Sequence, residues 1–222
     1  MSERENIIKR SREMMCSGRL YNPIFWEYYN SDGVYSDSFE CSKIMNDYQV
    51  ECRKEMYLYN SLPHDEEGDR QRSELLKAIF GEFEGFRKIE APFYANYGGK
   101  HTKLKGIFFA NFNLTLIEDG EIEIGDKTMV GPNVVISTAE HPKSSAIRAL
   151  GQGILYNKKV TIGNNVWIGS GAQIFAGATI GDNCIIGAGS IITKNTVIPP
   201  NKIATGVVSK KIVHQLKDIK DE

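Results

Sequence analysis

One histidine lies in a setting that suits proton transfer from a hydroxyl group. His141 is followed by Pro142, whose ring stiffens the backbone after it, in the segment Ser137-Thr-Ala-Glu-His-Pro142. Neutral imidazole accepts protons efficiently near pH 7, so such a residue can activate an alcohol for attack on an acyl group. A histidine on a loop is more often an ordinary surface residue, however, so its role depends on the elements that position it.

The remaining histidines and the cysteines do not form a pattern typical of a metal site. His64, His101 and His214 are widely separated, and the four cysteines, at positions 16, 41, 52 and 184, include no Cys-x-x-Cys pair. We therefore expect no metal, and no cysteine lies in a catalytic motif. Reduced thiols in a cytoplasmic protein are the simplest interpretation.

The charge balance excludes several classes of partner. The 222 residues include 27 basic and 28 acidic side chains, so no bulk field attracts nucleic acid or an anionic membrane. The first ten residues lack the apolar run of a signal peptide, and no later segment reaches the roughly 18 apolar residues of a membrane span. We expect neither nucleic acid nor membrane as a partner.

A six-residue repeat indicates the element that positions His141. Aliphatic residues recur at every sixth position, and the residue four after each, except the last, is small or β-branched; the aliphatic series is Ile162, Ile168, Ile174, Ile180, Ile186, Ile192 and Ile198. This period fits neither a helix nor a hairpin meander, but it fits a solenoid of three short strands per coil. We expect the aliphatic side chains to point into the prism and the glycines that follow them to supply corner dihedrals.

The repeat is interrupted where His141 lies, and it is missing from the N-terminal region. Residues 138–159 have no repeat phase and are predicted to leave the prism as a loop. Residues 1–90 are predicted to form a helical cap, with a helix over 65–80 and an aromatic-rich insertion at about 24–46. Residues 91–213 are predicted to form the solenoid, and 214–222 a charged tail, helical or frayed.

Four segments resemble one enzyme family closely; they are Asn111-Phe-Asn-Leu-Thr115, Ser137–Pro142, Val160–Ser170 and Ile186–Lys194. They are similar to the hexapeptide-repeat acyltransferases, in the branch of maltose and galactoside O-acetyltransferases. The resemblance implies a mainly β fold, a left-handed parallel β-helix with an α-helical N-terminal region. It also implies transfer of acetyl from acetyl-CoA to a sugar hydroxyl without a covalent intermediate, by a homotrimer with the donor groove between subunits.

The same resemblance implies roles for individual residues. His141 is the general base, the Ser170 amide stabilises the oxyanion, and Trp167 walls the acetyl site. The acceptor is bound by Asn111 and Asp119, with Asn22 near a position where relatives have an acidic residue. Coenzyme A is held by Gly187, Ala188, Thr193 and Lys194 along its arm, and by Lys210 and Lys211 at its phosphates.

Several alternatives stay open at this point. The acceptor is a sugar, a polysaccharide precursor, an antibiotic or an amino acid such as serine. A different class of function is a non-catalytic solenoid that serves as an assembly module. Residues 24–46 carry many aromatic side chains, including Trp26 and Tyr29, and we hypothesise that they reshape the acceptor pocket by stacking on sugar rings; simple packing on the solenoid is the other interpretation.

Overall fold

The structure is a computed structural model that describes residues 2–23, 27–30, 33–36, 39–81, 85–150, 153–210 and 217–218, with the backbone alone described for 27–30, 33–36 and 39–40. Its N-terminal region contains three helices, α1 (Glu3–Cys16), α2 (Phe39–Ser61) and α3 (Glu66–Phe80). A three-stranded antiparallel sheet lies between α1 and α2 and consists of β1 (Leu20–Asn22), β2 (Glu27–Asn30) and β3 (Gly33–Ser36). No described helix is both long and apolar enough to cross a membrane.

Helix α3 confirms the helix predicted over 65–80. Asp65 caps the helix by accepting a 2.7 Å hydrogen bond from the Gly68 amide. Three acidic side chains in the first turn stabilise the helix by interacting with the positive end of its dipole. Leu76 and Ile79 are buried in the same apolar core as the first coils of the solenoid. The helices therefore cover the N-terminal end of the solenoid.

A parallel β-solenoid of about six turns follows, as the repeat predicts. Its first face consists of β4 (Arg87–Ile89), β7 (Phe108–Ala110), β10 (Thr128–Val130), β15 (Trp167–Ile168), β18 (Ile185–Ile186) and β21 (Lys202–Ala204). Its second face consists of β5 (Tyr94–Ala95), β8 (Thr115–Ile117), β11 (Val135–Ser137), β16 (Gln173–Ile174), β19 (Ile191–Ile192) and β22 (Val207–Val208). Its third face consists of β6 (Thr102–Leu104), β9 (Ile122–Ile124), β14 (Val160–Ile162), β17 (Thr179–Ile180) and β20 (Val197–Ile198).

The aliphatic repeat fills the interior of the prism. All seven isoleucines of the series are at most 1% exposed, and the small residues between them, such as Ala172 and Ala178, are fully buried. Burial of each isoleucine side chain stabilises the fold by about 1.5–3 kcal/mol. The predicted inward direction of the repeat is therefore confirmed.

The glycines after the aliphatic residues have a different role from the one predicted. Gly131 and Gly169 do not adopt positive φ; a Cβ at these positions would lie 2.7 Å from the Ser170 nitrogen and 2.5 Å from the Ala188 nitrogen. Close approach between neighbouring coils, not corner dihedrals, excludes side chains there. Left-handed φ values occur two residues later, at Gly171 (+69°) and Gly189 (+66°).

The segment between β11 and β14 leaves the prism, as predicted, and is called the excursion (residues 138–159). It contains a short antiparallel ribbon, β12 (Ala139–Glu140) with β13 (Tyr156–Asn157), and a five-residue helix, α4 (Ser145–Ala149). Its return segment joins the N-terminal sheet, because Tyr21 and Leu155 exchange two backbone hydrogen bonds of 2.9 Å. The described part of the tail is extended, since β23 (Lys217–Asp218) pairs with β21.

Candidate active site

The ribbon of the excursion presents His141 at its end. The ring is exposed, and its Nδ1 lies 2.7 Å from the backbone oxygen of Ile154. A carbonyl oxygen only accepts, so Nδ1 carries the hydrogen in this contact. In the neutral ring the lone pair is then on Nε2, which is the arrangement that a general base requires.

A cavity of about 410 Å³ adjoins this ring. It lies where the helical region, the second face and the excursion meet, and it is lined by Pro23, Asn46, Gln49, Asn96, Ile117, Asp119, Ala139, His141 and Leu155. Polar amides and one carboxylate share the wall with aliphatic side chains. Such a lining suits a small ligand that has several hydroxyl groups and apolar ring faces.

Asp119 is the carboxylate of this cavity. It is 5% exposed, and its Oδ2 accepts a 2.8 Å hydrogen bond from Asn96 Nδ2. Burial raises the pKa of Asp119, while hydrogen bonding to Asn96 and the charge of a protonated His141 act in the opposite direction. The Asp119 carboxylate is therefore within electrostatic range of the His141 ring.

A buried glutamate next to Asp119 holds the turn that carries Asn96. Glu118 accepts hydrogen bonds of 2.8–2.9 Å from the backbone amides of Asn96, Tyr97 and Gly99. Burial raises the pKa of Glu118 to about 7, although these amide donors favour its charged form. The contacts hold the turn that aims Asn96 at Asp119.

The other described histidines are poor candidates for the base. His101 is 4% exposed, its Nδ1 lies 2.9 Å from the Glu118 backbone oxygen, and burial lowers its pKa to about 4. Its Nε2 lies 3.2 Å from the Tyr48 hydroxyl, so both ring nitrogens have protein partners. His64 lines a separate cavity beside Arg72, and His214 lies outside the described residues.

Backbone N–H groups form a second candidate feature, at the corner between the first and second faces. Within the described part of the chain, the amides of Ser170 and Ala188 donate to no protein acceptor, whereas their neighbours Gly169 and Gly171 donate to Ile186 and Pro132. Parallel pairing sets Ser170 and Ala188 in register, one coil apart. The corner thus presents two unused donors in a row, suited to a carbonyl oxygen and an amide-containing arm.

Trp167 lies on the outside of the first face. Its side chain is 53% exposed and neighbours Met129, 51% exposed, and Ile185 in the same row. These three line a cavity of about 560 Å³ that is separate from the His141 cavity. An exposed aromatic and aliphatic row of this kind is typical of a surface that another chain or a ligand covers.

The remaining predicted residues divide between these regions. Asn111 directly follows the strand residue Ala110, which lies in register with Val130 and Ile168, so Asn111 is on the corner of Ser170 and away from His141. Asn22 is fully buried, and its neighbour Pro23 lines the cavity instead. Gly187 lies beside Ala188 on the same corner as Ser170.

The predicted donor-binding residues of the C-terminal coils lie mainly on the surface. Thr193 bonds to Thr196 through their hydroxyl oxygens, 3.2 Å apart, and Lys194 contacts Glu140 of the excursion. Lys210 is exposed, and Lys211 lies outside the described residues.

Sequence reasoning missed several residues of the cavity. Asn46 and Gln49 project from α2, and Asn96 comes from the first coil, where Glu118 of the second coil holds its turn from outside the lining. The spacing of Asn46 and Gln49, three apart on a helix, gives two polar side chains on one face. That signal was present in the sequence, but nothing local linked α2 to the excursion.

Comparisons with known proteins agree with this architecture. Residues 159–194 match the family model described as bacterial transferase hexapeptide (six repeats). The chain is 49% identical over 98 residues to a galactoside O-acetyltransferase of Lactococcus lactis subsp. lactis, covering 44% of this chain and 46% of that enzyme. In such matches the chain spans about half the length of the curated relatives.

Two solved structures are similar over nearly the whole chain. A galactoside acetyltransferase in complex with coenzyme A has a TM-score of 0.72 and 32% identity, over 97% of this chain and 90% of that one. A maltose O-acetyltransferase from Clostridium difficile 630 has a TM-score of 0.71 and 34% identity, over 95% and 96% of the two chains. Together with the solenoid and its excursion, these similarities identify the chain as a member of the hexapeptide-repeat transferases, in the branch of the galactoside and maltose O-acetyltransferases.

Proposed function

We propose that this protein transfers the acetyl group of acetyl-CoA to a hydroxyl of a sugar or sugar-like acceptor. The observation that carries the proposal is the His141 ring, whose Nδ1 is held by the Ile154 backbone oxygen so that Nε2 is the basic atom beside a polar cavity. Relatives named as galactoside and maltose O-acetyltransferases support the same chemistry.

The reaction proceeds in one sequential exchange. His141 Nε2 takes the hydroxyl proton while the acceptor oxygen forms a bond to the acetyl carbonyl carbon. The carbonyl oxygen becomes negative and accepts a hydrogen bond from the Ser170 amide, which is fixed in a rigid corner. The carbon–sulfur bond then breaks, the thiolate leaves, and the imidazolium returns the proton to the sulfur.

The acceptor occupies the His141 cavity. Asp119 accepts from acceptor hydroxyls, while the amides of Asn96, Asn46 and Gln49 donate or accept. A ring with hydroxyls on its edge and apolar faces fits this lining better than a flat apolar compound. A sugar is therefore favoured over an antibiotic or serine, and a polysaccharide precursor belongs to the same chemical class.

The donor lies along the corner of unused amides. The Ala188 amide, one coil beyond Ser170, binds the arm of coenzyme A beside Gly187, and Thr193 and Lys194 of a neighbouring chain contact it from the corner between their second and third faces. Lys210 is free to reach the phosphates from the C-terminal end, with Lys211 beside it in sequence.

The protein acts as a cyclic homotrimer with each site between two chains. Within one chain, the excursion that carries His141 starts at the corner between the second and third faces. Ser170 and Asn111 lie at the corner between the first and second faces. A neighbouring chain brings the two halves together, and the exposed row of Trp167 and Met129 gives that neighbour an apolar surface.

The four cysteines, all free thiols, support a cytoplasmic location.

Replacement of His141 tests the proposed base. H141A is expected to lower turnover of acetyl-CoA by about 10²- to 10⁴-fold with the preferred acceptor, while H64A, altered in the separate cavity, keeps wild-type turnover. The assay measures thiol release against a panel of galactosides, maltose, nucleotide-linked sugars, an aminoglycoside and serine. Unchanged turnover in H141A would reject the base and favour the non-catalytic assembly module.

A further inference from the structure

The residue before the candidate base makes a contact across the fold. Glu140, in β12, forms an ion pair with Lys194 Nζ, and its Oε2 lies 3.4 Å from the hydroxyl of Tyr156, its partner in the ribbon. Lys194 Nζ also lies 3.4 Å from that hydroxyl. The three side chains therefore form one cluster, which joins the excursion to a coil two turns further along the solenoid.

The solenoid side of this cluster is a firm anchor. Lys194 follows β19, and the preceding residue, Thr193, donates its amide to the Val208 backbone oxygen. A second contact joins the same corner to the excursion, because Lys158 Nζ donates a 2.9 Å hydrogen bond to Asn195 Oδ1. The return strand of the excursion thus rests on the corner formed by residues 193–195.

The ion pair is partly shielded from water. The side chains of Glu140 and Lys194 are 19% and 31% exposed, less than most ion pairs of this protein, and hydrogen bonding to Glu140 raises the pKa of Lys194. A shielded contact of this kind fixes a position more firmly than a fully exposed pair does.

His141 is consequently held from two sides. On the inner side, Ile154 accepts from its ring and Leu155 pairs with Tyr21 of the N-terminal sheet. On the outer side, Glu140 joins the ribbon to the solenoid. The return strand of the ribbon is held by Asn157 and Lys158, whereas the side chain of Glu140 joins the outgoing strand, which carries His141, to the solenoid.

We propose that Glu140 is a positioning residue, which fixes His141 relative to the donor corner by joining the ribbon to Lys194 and Tyr156. This inference rests on the proposed acetyl transfer. Glu140 does not touch the reacting atoms; it acts through the backbone that carries the base. Loss of the contact is therefore expected to impair the chemical step more than the binding of acetyl-CoA, and the freed Lys194 ammonium remains available to the donor.

The test compares three variants. E140A is expected to lower kcat by about ten- to a hundredfold, because small misplacements of a base are costly, with KM for acetyl-CoA unchanged or lower. E140Q keeps an oxygen that accepts from Lys194 and is expected to lose less. E90Q is the matched control, since Glu90 is similarly shielded and pairs with Lys88 in the first coil, neither residue being part of the excursion, and it is expected to behave as wild type.

A second measurement does not depend on activity. Amide hydrogen exchange of residues 139–141 and 154–157 is expected to accelerate in E140A and not in E90Q. Wild-type kcat in E140A together with an inactive H141A would overturn the positioning role while leaving acetyl transfer in place. Unchanged exchange in E140A would also overturn it, whether or not the wild-type protein transfers acetyl groups.

Discussion

The two halves of the candidate site are built on different principles. The corner that carries Ser170 and Ala188 is a regular part of the solenoid, and its donors are backbone amides set in place by the ladder. The cavity that carries His141 and Asp119 lies where the chain departs from the repeat, and its groups are side chains from distant segments. A repeat places backbone groups at fixed intervals, whereas interruptions of the repeat place the side chains that do acid–base chemistry.

The difference extends to what each half tolerates. At the corner the side chain matters little as long as the amide is present and unbonded. In the cavity each group depends on others, since Glu118 orients Asn96 and the Tyr21–Leu155 pair supports the segment that holds His141. Substitutions should therefore be most informative at the corner when they remove the N–H, and in the cavity when they alter a side chain.

Within the regular half of the site, the largest expected effect comes from removing one corner donor. S170P deletes the amide hydrogen and is expected to lower kcat by about 10²- to 10³-fold without raising KM for acetyl-CoA. Proline is compatible with such corners, because Pro132 occupies the position in register one coil earlier. Steady-state kinetics, with circular dichroism to confirm the fold, provides the measurement.

A188P is the matched control for that substitution. It removes the next donor of the same row, which we assign to the arm of coenzyme A, so it should raise KM for acetyl-CoA and change kcat little. If both variants alter the same kinetic parameter, the division of roles between the two amides is wrong.

A mixing experiment tests whether the two halves of one active site come from different chains. H141A and S170P are each expected to retain about 1% of wild-type activity or less, but co-refolded at equal amounts they should recover about a quarter of it, because each mixed trimer contains one intact site. Sedimentation of the mixture should show a trimer. A monomer, or no recovery, would reject the shared site.

A smaller effect is expected in the cavity. D119N removes the charge while keeping a side-chain oxygen, and it should raise KM for the acceptor about ten- to a hundredfold with KM for acetyl-CoA unaffected. The acceptor and donor constants are measured separately by varying one substrate at saturation of the other. An equal rise of both constants would mean that the cavity is not specific to the acceptor.

The regular part of the molecule could be predicted from the sequence because its information is local. Seven isoleucines six residues apart define the inward side of the prism, and their burial follows directly. The predicted role of the glycines beside them, to supply corner dihedrals, was wrong. These glycines are required by the short distance between neighbouring coils, which the six-residue period does not reveal. Gly131 and Gly169 illustrate this point.

The cavity was only half predicted. His141 and Asp119 belong to quoted motifs, but Asn46 and Gln49 reach the cavity because α2 packs across the early coils, a contact between segments far apart in sequence. The hypothesis that the insertion at 24–46 reshapes the acceptor pocket stays a prediction. Phe25 and Trp26 lie outside the described residues, and for Tyr29 the backbone alone is described.

The parallel register has a consequence for how such proteins change in length. Trp167, Ile185 and Ile203 are stacked at intervals of 18 residues, and each step advances the chain by one strand spacing, about 4.8 Å. Gain or loss of 18 residues beyond the fifth coil would lengthen or shorten the molecule by that increment without disturbing the ribbon or its contacts with Lys194 and Asn195. The span available for a long donor molecule can thus vary in whole steps while the proton-accepting end is unaltered.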